Sequence, residues 1–118
     1  MEGDAALAVM EDPRREFYTS QLVKLELLPK PMFFGQKAEV EFYQTHFRTV
    51  KGEAFLSAEL GSRADELARR HGIAAVDALH LAAAISQGAE EFVTAEKPGK
   101  PLFRVSDIKV ISIHTLTL

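Results

Sequence analysis

The stretch VDALHLAAAISQGAEEFVTAEK, residues 76–97, decides how the rest of the chain is read. Ala75 to Gln87 is apolar almost all the way round, and a helix without a polar face belongs inside a protein. Gly88 follows, the residue type best suited to the left-handed turn that closes a helix. Glu91-Phe92-Val93-Thr94 then reads as a short strand. A buried helix feeding a strand predicts helix packed on sheet. Glu96 lies just past that strand, outside its carboxyl end, where open α/β sheets place their sites.

Working outward, the upstream chain alternates in the same way. Ser57 is placed to cap a helix running to His71, with Gly72 as its left-handed C-cap. Before it, Gly52 breaks the chain and Ala54-Phe55-Leu56 forms a short extended piece. Gln36 to Lys51 reads as an amphipathic helix with Val40, Tyr43, Phe47 and Val50 on one stripe. Ser20 caps a helix carrying Leu22, Val23, Leu25 and Leu28, which Pro29 and Pro31 end. Glu16 to Thr19 reads as a strand. Asp4 caps a first helix, Ala5 to Glu11, stopped by Asp12-Pro13. Downstream, Pro98 to Asp107 is a loop or a single turn, and Lys109 to Ile113 is a last strand. Helices alternating with short strands predict a mostly parallel, helix-covered sheet. We expect Glu16–Thr19, Phe92–Thr94 and Val110–Ile113 to share one sheet with right-handed helical crossovers.

Composition narrows the function classes. The chain has 118 residues, 47% of them hydrophobic, and predicts a single domain over 1–118. It has no cysteine, so no disulfide, thiolate zinc site or cysteine nucleophile is available. Fourteen basic against seventeen acidic residues leave a net charge of −3, which argues against a broad phosphate-gripping surface. Two small basic clusters remain: Arg69, Arg70 and His71, and Lys97, Lys100 and Arg104. The first reads as solvated charge at a helix end. The apolar run Ile73 to Ile85 is broken by Asp77 and His80 and is too short to span a bilayer. The acidic opening, Glu2 and Asp4, is unlike a secretory leader, so a cytoplasmic location is expected. No Gly-rich phosphate loop, HExxH zinc spacing or GxSxG elbow is present.

Carboxylates in apolar company are the remaining chemistry. Glu26 shares a helix face with Leu22 and Leu25 and is expected to point toward the core. Asp77 stands in the first turns of the apolar helix, where an unpaired carboxylate is costly without a partner, a capping role or a cation. Each has a plain alternative. Asp77 can complement the helix N-terminus, Glu26 can pair with a neighbouring lysine, and Glu96 can be an exposed loop residue. His80, one turn after Asp77, reads as a satisfied core histidine before it reads as a ligand.

Taken in order, these features resemble the PIN-domain family of small metal-dependent ribonucleases, which includes the VapC-like toxins of toxin–antitoxin pairs. The resemblance rests on Asp77 opening the helix DALHLAAA, the Gly88-Ala89 connection, and Thr94-x-Glu96 ending the strand. FYTSQLVKLELLPKP, from Phe17, is similar to the family's second strand and helix and carries its acidic position at Glu26. The likeness covers roughly residues 5 to 114. It implies a three-layer α/β fold and hydrolysis of RNA. Glu26, Asp77 and Glu96 would be the ligands of one or two Mg²⁺ or Mn²⁺ ions around one shared cavity. Thr94 would orient a water or a carboxylate, and Lys97 and Lys100 would guide phosphate.

One departure is plain. The family begins with a central strand ending in Asp-Thr-Asn or Asp-Ser-Asn, whose Asp is a principal ligand. This chain contains no asparagine and reads as a PIN-like fold lacking that N-terminal strand. In the family the strand lies between those matching Glu16–Thr19 and Phe92–Thr94. The expectation is therefore weak metal binding and impaired RNA cleavage, an antitoxin protein as a further partner, and a homodimer recruited by open sheet edges. The alternative is a catalytically inactive PIN-like module for protein interaction or dimerisation.

Overall fold

The computed structural model describes the backbone of residues 2–116 and the side chains of 5–116. Six helices and four short strands follow one another: α1 Glu2–Glu11, β1 Tyr18–Ser20, α2 Gln21–Leu27, α3 Pro29–Phe33, α4 Lys37–Thr49, β2 Gly52–Ala54, α5 Ala58–His71, α6 Ala75–Ser86, β3 Glu91–Thr94 and β4 Lys109–Ser112. A 3-10 turn, Pro101–Arg104, lies between β3 and β4. The fold is mixed α/β with parallel strands flanked by helices.

Local chemistry sets most boundaries. Ser20 is extended, at φ −141° and ψ 160°, and its hydroxyl accepts the Val23 N–H, so one residue ends β1 and caps α2. Ser57 does the same for α5 through the Leu60 N–H. Gly72 closes α5 at φ 65°, a left-handed position that costs glycine little. α1 begins earlier than expected, so Asp4 lies inside its first turn and not at its cap. Pro29 does end α2, but it also opens α3, because proline lacks only an N–H that the first turn leaves unpaired anyway.

The core sits between α5, α6 and the segment after β3. Leu60, Ala64 and Leu67 of α5 pack with Ala78, Leu81 and Ala82 of α6, and with Leu102, Val105 and Ile108. α6 is the deepest helix, with Ala78 and Leu81 fully enclosed. A Leu side chain buried this way contributes about 2 kcal/mol relative to exposure. α4, in contrast, buries no residue fully; Val40, Tyr43, Phe47 and Val50 are only half-covered.

The single expected sheet is in fact two. β1 pairs in parallel with β2, and β3 in parallel with β4, and no ladder joins the pairs among the described residues. α6 packs against β1, β2 and β3, so both pairs rest on the same helix. The strand beside β1 is the short piece after Gly52, beginning two residues earlier than expected; Phe55 and Leu56 lie beyond it, exposed. β1 itself starts at Tyr18 and leaves Glu16 outside, ion-paired to Lys51 at 2.7 Å. The β3–β4 connection carries only the 3-10 turn, not a crossover helix.

Candidate functional site

Glu26 stands near the end of α2, whose side chains are all at least partly exposed. The expectation that it faces the core fails: Leu25 beside it is 59% exposed and Glu26 is open to solvent. A seven-residue helix on the rim cannot turn a whole face inward. The lysine alternative fails too, since Lys24 pairs with Glu53 at 2.7 Å. The partner of Glu26 is His80 of α6, whose Nε2 lies 2.6 Å from Oε1. A carboxylate can only accept, so Nε2 carries the hydrogen and donates it. This is the short, charge-assisted class of contact.

His80 is the fixed member of that pair. Its side chain is only 15% exposed, against 47% for Glu26. Its ring lies tilted beside Phe92 of β3, centroids 6.4 Å apart. An open cleft of about 460 Å³ runs along Glu26, lined by Lys30, Pro31, Phe34, Glu39 and Tyr43. Burial, with a hydrogen bond to Glu39 adding to it, pushes the Tyr43 phenol above its usual range.

Asp77 occupies the first turn of α6, half-buried, where the helix dipole favours its charge. Among the described residues no hydrogen bond or ion pair engages its carboxylate. Glu96 is exposed just past β3. Its backbone is held from both sides: its N–H donates to Thr94 Oγ1 at 3.1 Å, and its carbonyl accepts from Ser112 Oγ at 2.6 Å. Thr94 thus spends its hydroxyl on shaping the turn that presents Glu96. Lys97 and Lys100 are exposed beside it. Arg104 bonds back to the His71 carbonyl at 3.2 Å. The first basic cluster is ordinary surface pairing, Arg69 with Asp65 and Arg70 with Asp107, each at 2.8 Å.

These donors do not fit a ready-made metal centre. Among the described residues no three of His, Asp and Glu stand together in a way that could hold an ion. The structure brings Glu26 to His80 and leaves Asp77 and Glu96 uncommitted. Sequence reading missed the His80 contact because its partners are 54 positions apart. The one available signal was that a histidine in an apolar helix requires a polar partner.

A family model described as PIN domain matches residues 2–97, well over half of the chain. No curated protein and no solved structure matches it.

Proposed function

The chain belongs to the PIN-domain family, and on that footing we propose that it is a metal-dependent ribonuclease domain of the toxin–antitoxin type, impaired as it stands. PIN domains are generally metal-dependent nucleases, so the family supplies the reaction class. Glu26, Asp77 and Glu96 are the proposed donors for Mg²⁺ or Mn²⁺, with Thr94 shaping the turn that carries Glu96. Lys97 and Lys100 are the proposed phosphate-facing rim, and RNA is the proposed substrate. An antitoxin protein and a second copy of the chain are the proposed partners, in the cytoplasm. No helix among the described residues is long and apolar enough to cross a membrane.

The observation that carries the reading is the arrangement of the three acids. Asp77 is half-buried at the mouth of α6 without a partner, yet three donors nowhere converge. A domain with the family's acids in order but no converged set is expected to bind a divalent ion weakly. Mg²⁺ gives up its waters reluctantly unless carboxylate geometry is good. The split between β1–β2 and β3–β4 points the same way, since a strand between them would add both backbone pairing and a donor.

The test is a fusion. A short apolar strand ending in Asp-Thr-Asn, encoded in frame before Met1, should raise thermal stability, Mn²⁺ affinity and RNA cleavage together. Robust metal-dependent cleavage by the 118-residue chain that Asp77→Ala leaves unchanged would defeat the proposal. A second reading, an inactive interaction module, draws on Phe33, Phe34, Phe42 and Phe55, all about half or more exposed. It predicts that the fusion stabilises the fold without producing cleavage.

A further inference from the structure

We propose that His80 holds Glu26 in reserve, so that metal affinity in this chain is set by competition between an imidazole and an ion for one carboxylate. The inference rests on the ribonuclease reading above and concerns the same acid. It starts from the mismatch already described: Glu26 is a proposed donor, yet its oxygen is engaged at 2.6 Å by a ring nitrogen that donates to it. A divalent cation needs the lone pairs of deprotonated carboxylate oxygens. An ion approaching Glu26 meets a hydrogen-bond donor on Oε1.

The two residues are unequal, and that decides which one yields. His80 is enclosed, beside the Phe92 ring, between Leu79 and the fully buried Leu81 on α6. Glu26 is exposed, on a seven-residue helix bordering an open cleft. A flexible carboxylate on the rim can leave; a ring wedged in the core edge cannot follow it. His80 therefore acts as a positioning residue that pins Glu26 to α6 and withholds it from any site that Asp77 could share.

Mn²⁺ titration, read by the electron paramagnetic resonance of free ion and by thermal shift, tests this on the full chain. His80→Leu should bind Mn²⁺ about three- to fivefold tighter than the unsubstituted protein, the worth of one part-exposed ion pair. Adding Glu26→Gln to His80→Leu should abolish the gain. His80→Asn, whose side chain is too short to span the contact, serves if His80→Leu does not fold. Unchanged binding overturns the inference, and weaker binding does so by showing the imidazole to be a ligand itself. If Asp77→Ala weakens Mn²⁺ binding while both His80 variants leave it unchanged, the ribonuclease reading stands and the competition falls. If no variant binds Mn²⁺, or Asp77→Ala has no effect, the ribonuclease reading falls and this inference with it.

Discussion

Arg15 donates through Nη1 to Glu91 Oε1 at 2.9 Å, joining the segment that enters β1 to the first residue of β3. No strand ladder crosses between those two halves among the described residues, so this part-buried pair and the packing on α6 carry the connection. Gln87 reinforces it, donating its amide to the Thr19 carbonyl at 2.9 Å.

A double-mutant cycle on Arg15→Ala and Glu91→Ala should therefore return a coupling of about 0.5–1 kcal/mol, the upper range for a partly exposed pair. Raising salt should shrink it. Urea unfolding of the four proteins measures it, and a coupling indistinguishable from zero would leave α6 as the sole connector.

The core prediction separates α6 from the helices around it. Leu81→Ala should cost about 2–5 kcal/mol, because Leu81 is fully enclosed and its neighbours can only partly close the cavity. Leu25→Ala, on the exposed rim, should change stability by less than about 0.5 kcal/mol. Denaturant midpoints for the two variants would contradict this packing if their order reversed.

His46 makes stability depend on pH. Its ring lies edge-on to Phe17, centroids 5.5 Å apart, and burial pushes the imidazole below its ordinary 6.5. The unfolded chain then takes up a proton at a higher pH than the folded one. The contribution is complete above pH 6.5 and is lost as pH falls through the lowered folded value. His46→Gln should reduce the acid sensitivity between pH 8 and pH 5, measured by urea unfolding at each pH.

Two-stranded pairs of three and four residues leave backbone edges that neighbouring chains can complete. The expected state is a homodimer or a strand-exchanged assembly. Light scattering at high protein concentration should show it, and a monodisperse monomer would count against it. The strand fusion described above should reduce such self-association while raising the melting temperature.

Much of this could be read locally. Ser20 and Ser57 as caps, Gly72 as a left-handed stop, the apolar helix from Ala75 and the strand Glu91–Thr94 all follow from short-range rules, because a cap or a period involves residues within a few positions of each other. The ordered acids Glu26, Asp77 and Glu96 were legible for the same reason, each set against its own flanking pattern.

What the chain order could not express was which elements meet. Periodicity marks a strand but not its partner, so one sheet was expected where β1–β2 and β3–β4 form two. The face of α2 was misjudged because a short rim helix exposes residues that its apolar spacing would bury. Glu26 and His80 meet across 54 positions, a contact that exists only after α2 has come to lie against α6. The sequence by itself thus determined the elements, their caps and the family's acidic order. Tertiary packing alone decided that one of those acids is spent on a histidine, because hydrogen-bond geometry depends on distance in space and not on spacing along the chain.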